Sequence, residues 1–167
     1  AKDGVNQAAA LVITSLGVAK SLKVSDRAVF LRGHAEEVEL PVLERPSLNE
    51  SPAMQKAYRS AMQSAGVGVE GIVAFDLYSC FPIAVFAALE SLSIRYDDSR
   101  PLTVTGGLPY FGGAGNNYST HGIAEMVHLL RKQHKPSFGL VGANGGFLSK
   151  HAVGVYSNAP GDFPALP

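Results

Sequence analysis

The 167-residue sequence has one cysteine, no tryptophan and no excess charge of either sign: 14 Lys and Arg stand against 14 Asp and Glu. A lone cysteine, Cys80, excludes an internal disulfide framework and a cysteine-based zinc site. Zero net charge removes the basic excess with which a nucleic-acid-binding domain attracts phosphates, so no nucleic-acid partner is expected. Long hydrophobic runs are missing as well. The longest nearly unbroken one, Phe81 to Leu89, falls far short of the ~20 residues that span a bilayer. There is no basic-then-apolar leader either, and the first residues are Ala1-Lys2-Asp3 rather than Met, as in a processed chain or a piece of a longer polypeptide. The missing leader and the single reduced thiol point to the cytoplasm. No two histidines stand at metal-ligand spacing beside a carboxylate, and no metal is expected.

What is present suits a folded domain. Hydrophobic residues make up 46% and charged residues 17%, too apolar and too weakly charged for a disordered chain. The length fits one compact domain or half of a larger one.

The pattern along the chain alternates strands and helices. Residues 8–14 form an apolar run that reads as a buried strand. Ser15 caps a short helix to about Leu22, and residues 27–40 read as an extended segment with one solvated face. Pro41, Pro46 and Pro52 mark a loop, after which Ser51 caps a helix carrying Met54, Ala57, Tyr58, Ala61, Met62 and Ala65 at core-facing spacing. Residues 69–77 lead into a strand, and Pro82 opens a helix to about Ile94 that is apolar nearly all round at its start. Residues 102–105 read as a short strand. Ser119 caps a further helix with Ile123, Met126, Val127 and Leu130 on one face, and residues 137–142 and 150–156 form a last strand pair. The order predicts an α/β fold, a mixed sheet of about five strands with helices on both faces. One domain is expected over 1–157, followed at 158–167 by a proline-rich tail or a linker to a further segment.

Four features bear on chemistry. Cys80 lies where a strand passes into a buried helix, where a helix N-terminus can lower a thiol pKa; an inert core cysteine is the plainer alternative. The run from Gly106 through Gly112 and Gly113 to Asn116 and Asn117 permits positive φ and exposed backbone N–H groups suited to an anion or oxyanion. It fits neither the dinucleotide fingerprint nor a P-loop. His121 stands in the first turn of the helix after it, where an imidazole suits a hydrogen-bond donor or a base, or is a plain helix-start residue. Asn144-Gly145 reads most simply as a two-residue hairpin turn.

Together these pieces resemble the C-terminal half of a thiolase, over residues 3–157. The branch they match best is that of sterol-carrier-protein thiolases and thiolase-like acetyl-CoA acetyltransferases. Asp3-Gly4-Val5-Asn6-Gln7-Ala8-Ala9-Ala10 resembles the lead-in to the first strand of that half. Phe75-Asp76-Leu77-Tyr78-Ser79-Cys80-Phe81 matches the loop that reads Asn-Glu-Ala-Phe in many thiolases and His-Asp-Cys-Phe in the sterol-carrier branch. Thr105-Gly106-Gly107-Leu108 followed by Gly112-Gly113-Ala114 matches the Gly-Gly-Leu to Gly-His-Pro stretch, and Ala143-Asn144-Gly145 falls at the Cys-x-Gly loop.

The resemblance implies half of a five-layered αβαβα unit acting on 3-ketoacyl-CoA, by thiolysis or Claisen condensation, with a coenzyme A thioester as substrate and no separate cofactor. The acyl-accepting cysteine would lie on an N-terminal half. This half would supply oxyanion and acid/base groups, because the condensation builds charge on a thioester oxygen and moves an α-proton. Homodimerisation is implied, mainly through the other half. Cys80 is then the acid/base candidate, the Tyr78 phenol can still donate a hydrogen bond, and Gly112, Gly113, Asn144 and Gly145 line the substrate.

Three family positions differ. The Gly-His-Pro histidine is Gly113, the loop Asn or His is Tyr78, and the Cys-x-Gly cysteine is Ala143. His121, Asn116 or Asn117 is the candidate replacement oxyanion donor. Two alternatives follow: a retro-aldolase on sterol side-chain CoA esters, in which the Tyr78 phenol serves as acid/base, and a non-catalytic CoA- or lipid-binding module. Without its companion half this chain is expected to be inactive.

Overall fold

A computed structural model describes residues 5–161. Four helices, α1 (Leu16–Ser21), α2 (Pro52–Ala65), α3 (Pro82–Leu92) and α4 (Tyr118–Leu130), surround a sheet of β1 (Phe30–Val38), β2 (Ile72–Asp76), β3 (Phe138–Gly145) and β4 (Lys150–Ser157). The sheet order is β1-β4-β3-β2. Strand β4 runs antiparallel to both neighbours, and β2 runs parallel to β3. Four strands stand where about five were expected. The segment read as a short strand, 102–105, does bond along the free side of β2: Phe75 N–H donates to Pro101 O at 2.8 Å and Val104 N–H to Phe75 O at 3.0 Å.

Helices cover both faces, as the apolar patterning requires. On one side α2 and α3 bury Met54, Ala57, Tyr58, Leu89 and Leu92 against Ile72, Phe75, Leu140, Val153 and Val155. On the other, Met126 and Leu130 of α4 cover Ala74 and Val141. Burying each of the larger of these side chains contributes about 1.5–3 kcal/mol. The approach of α2 to the sheet depends on Gly33, where a Cβ would stand 2.2 Å from the Ala61 carbonyl oxygen.

Local signals explain the helix ends. Ser15 Oγ accepts from Val18 N–H, and Ser51 Oγ accepts from Met54 N–H ahead of Pro52. Gly66, at φ 66°, closes α2 in the left-handed conformation.

Three expectations need correction. Residues 8–14 form no strand: they have no ladder partner among the described residues, and Val12 and Ile13 are almost wholly exposed. Ser119 does not cap α4. The helix begins one residue earlier, at Tyr118, after a single 3₁₀ turn (Gly115–Asn117), because the buried Tyr118 side chain is anchored from outside the helix. Residues 69–77 do lead into a strand: β2 starts at Ile72, after another such turn at Val69–Gly71. Asn144 and Gly145 are no hairpin turn: they lie in the β3–β4 ladder opposite His151 and Lys150, and the turn is 146–149, closed by Ser149 N–H to Gly145 O. Of the tail, residues 158–161 are described. Asn158 accepts from Ser137 N–H, and Arg32 donates to the Ala159 and Pro160 carbonyls. Asp3, Gly4 and the rest of the tail lie outside the described residues.

Candidate active site

Open α/β sheets offer ligands a crevice beyond the carboxyl ends of their parallel strands. Here β2 ends at Asp76 and gives way to Leu77–Phe81, while β3 ends at Asn144 and Gly145. The two strands are neighbours, so these segments meet. The Cys80 thiol donates to Asn144 Oδ1 across 3.7 Å, a sulfur-length contact. Both residues are half-buried. Asn144 also lines a groove of about 330 Å³ over the ends of β1, β3 and β4, with Val38, Gly145, Lys150 and His151. A second hollow, of about 380 Å³ beside Glu70, Ser93 and Arg95, is lined by none of these residues, and its arginines are paired, Arg95 with Asp97 and Arg100 with Asp98.

The thiol is not activated. Burial pushes the Cys80 pKa up, outweighing the backbone N–H groups of Phe81 and Cys80 that act the other way. The helix-start effect therefore loses to desolvation, and Cys80 is a protonated donor at neutral pH. Burial, with Cys80 beside it, raises the Tyr78 phenol as well. Both candidates are thus acids in their resting state.

The glycine-rich loop folds against the same segment. Leu108 N–H donates to Ser79 Oγ at 2.8 Å. The Tyr78 ring meets the edge of Tyr118 at 5.5 Å, Tyr118 meets Phe111 at 6.2 Å, and Phe111 meets His121 at 5.0 Å. Asn117 Nδ2 donates to His121 Nε2 at 3.2 Å, which makes that ring nitrogen an acceptor. Gly112 and Gly113 take φ of 95° and 71°, which favours glycine. Gly113 N–H is spent inside the loop on Leu108 O at 2.9 Å, so it is no free oxyanion donor. Gly112 packs against Gln7, whose amide Nε2 donates to the Phe111 carbonyl.

The structure thus brings Cys80 into direct contact with Asn144, with Tyr78 and Gly145 beside them in sequence, and links His121, Asn117, Gly112 and Gly113 to the Tyr78–Cys80 segment through the aromatic row and Ser79. Asn116 is exposed at the loop tip, and His34, His128 and His134 are also exposed. His151 is buried. Its Nε2 lies 3.1 Å from Ser51 Oγ and 3.2 Å from Leu148 O, so it serves the β3–β4 turn rather than a substrate.

Sequence reasoning missed Asp76, Ser79, Thr105 and Tyr118. Asp76 is wholly buried, and its Oδ1 accepts from Thr105 N–H at 3.2 Å and Thr105 Oγ1 at 2.9 Å. Burial pushes its pKa up to about 6 despite the Thr105 bonds that lower it. A carboxylate at the end of an apolar strand was a legible signal. Thr105 and Tyr118 carry none of their own.

The chain is 50% identical to a monomeric SCP2-thiolase-like protein type 1 of Mycobacterium smegmatis, with a TM-score of 0.84 over 90% of this chain and 34% of that one. It belongs to the thiolase superfamily, on the SCP2-thiolase-like branch. Peroxisomal 3-ketoacyl-CoA thiolase of Saccharomyces cerevisiae, described as a five-layered structure built from two core domains of identical topology, shares the fold alone. It is 15% identical, with a TM-score of 0.63 over 84% of this chain and 37% of that one. The thiolase-superfamily chain thus spans about a third of the length of these relatives. No protein-family profile and no curated protein sequence matches it. Among the described residues, no helix is long and apolar enough to cross a membrane.

Proposed function

We propose that this chain is the C-terminal half of a thiolase-like protein that handles acyl-CoA, forming the acid/base wall of a cleft whose nucleophile lies on a companion half. The observation that supports this most is the meeting of Cys80 with Asn144, which joins the two segments that the family resemblance assigns to the thioester. A protonated thiol and a protonated phenol at this point suit proton delivery to a developing carbanion or enolate. Thiolysis of 3-ketoacyl-CoA or its reverse is the reaction class, within lipid metabolism and in the cytoplasm.

The companion half also accounts for the apolar surface of α3, where Phe81, Ile83 and Phe86 are more than half exposed. The Mycobacterium smegmatis relative is described as monomeric, so we assign this face to the companion half rather than to the homodimer that the resemblance implies.

A second reading, a non-catalytic acyl-CoA-binding module, is favoured by one observation: the position of the family's histidine is Gly113, and its N–H is already committed to Leu108. The retro-aldolase alternative rests on Tyr78 alone. An assay of the whole protein on 3-ketoacyl-CoA, with CoA as acceptor, separates them. Thiolysis that Cys80→Ala lowers at least tenfold supports the acyltransferase. Tight binding without turnover supports the module, and cleavage of a 3-hydroxyacyl-CoA alone supports the retro-aldolase.

A further inference from the structure

We propose that Asp76 is a positioning residue for this site, acting through a one-way chain of hydroxyls that ties the Tyr78–Cys80 loop to the glycine-rich loop. The proposal rests on the acyl-CoA reading of the cleft. The chain runs Asp76, Thr105, Tyr118, Ser79, Leu108. Its direction follows from the ends. The Thr105 hydroxyl donates to Asp76 Oδ1, so its oxygen must accept from the Tyr118 hydroxyl. Tyr118, its one proton used, must accept from Ser79, across 3.2 Å. Ser79, its proton used in turn, accepts from Leu108 N–H. Every hydroxyl donates once, and the carboxylate sets the sense of the whole row.

Folding alone gives no reason for a carboxylate here. Its neighbours on β2, Ile72, Ala74 and Phe75, are buried and apolar. Oδ2 is buried with no hydrogen-bond partner among the described residues, and α4 makes room for it with Gly122, where a Cβ would stand 2.4 Å away. An apolar residue of the same shape would avoid the desolvation that a buried carboxyl suffers. What Asp76 does that such a residue would not is hold Thr105, and through it Tyr118 and Ser79. Ser79 lies between the two acid/base candidates, Tyr78 and Cys80.

Amide hydrogen exchange on the whole protein tests this. Asp76→Leu is expected to leave the unfolding midpoint equal or higher while speeding exchange at Leu108 N–H roughly fivefold. Asp76→Asn, whose amide oxygen still accepts both Thr105 bonds, is expected to restore the original rate. Tyr118→Phe cuts the row midway and guards against misfolding of the leucine variant: Leu108 N–H speeds up and Thr105 N–H does not. A folded Tyr118→Phe protein with unchanged exchange at Leu108 overturns the role. Acyl-CoA added to the unsubstituted protein separates the two levels. Protection at Cys80 and Leu108 supports the reading on which the proposal rests; its absence overturns that reading whatever the variants show.

Discussion

Cys80 Sγ and Asn144 Oδ1 face each other across 3.7 Å, joining the loop after β2 to the end of β3 although 64 residues separate them in the chain. The parallel pairing of the two strands brings this about, since it stacks their carboxyl ends on one side of the sheet. The thiol is the donor of the pair and remains protonated because its surroundings are poor in water.

Titration of the thiol follows from that. The rate of Cys80 alkylation against pH should have its midpoint above the ordinary cysteine value of about 8.5. Asn144→Ala removes the acceptor that favours the neutral thiol, and should speed alkylation at pH 8 by roughly threefold. A midpoint below the ordinary value would contradict the burial argument.

Asp76 gives the stability a pH dependence of known sign. Its folded-state pKa, about 6, lies above the ordinary carboxylate value of 3.8, so the folded protein binds more protons across that window. The stabilising contribution is complete below the ordinary value and is lost as pH rises through about 6. The full span is roughly 3 kcal/mol. Asp76→Asn should therefore be more stable than the unsubstituted protein at pH 8 and lose that advantage toward pH 4, as read from denaturant unfolding.

His151 acts in the opposite sense. Burial lowers its pKa, with Arg45 adding to the effect and the Leu148 carbonyl and Glu39 opposing it, and it is neutral in the fold. The unfolded chain takes up a proton below about pH 6.5, so this contribution to stability falls with pH from there downward. His151→Gln should lower stability at pH 8 and flatten the decline between about pH 6.5 and pH 5.

Gly122→Ala would place a methyl group in the space of Asp76 Oδ2. The expected loss is about 2 kcal/mol, in line with overpacking of a tight core. Asp76→Ala in the same chain should recover part of it, because the two sites are in contact.

Much of this was written locally. Ser15, Ser51, Pro52 and Gly66 mark helix ends by their own chemistry, and the spacing of Met54, Ala57, Tyr58 and Ala61 gives the buried face of α2. Local rules failed where a distant group decides. Val12 and Ile13 have the composition of a buried strand, yet nothing among the described residues pairs with them. Asn144-Gly145 has turn chemistry but is held in the ladder by His151 and Lys150. Tyr118 opens α4 ahead of the obvious serine cap because Ser79 and Thr105 take its hydroxyl. The candidate site was legible through Cys80, Tyr78 and Asn144 only by family resemblance, and the Asp76–Thr105–Tyr118 row, spread over 43 positions, had no local signature beyond a lone carboxylate on an apolar strand.

A crystal structure of the whole protein with a hydrolysis-resistant 3-ketoacyl-CoA analogue tests the central claim most directly. The account predicts the thioester within hydrogen-bond reach of Cys80 or Tyr78, beside Asn144, with the companion half seated on Phe81, Ile83 and Phe86. An analogue bound away from the ends of β2 and β3, or an α3 face left open to solvent in the whole protein, would contradict it.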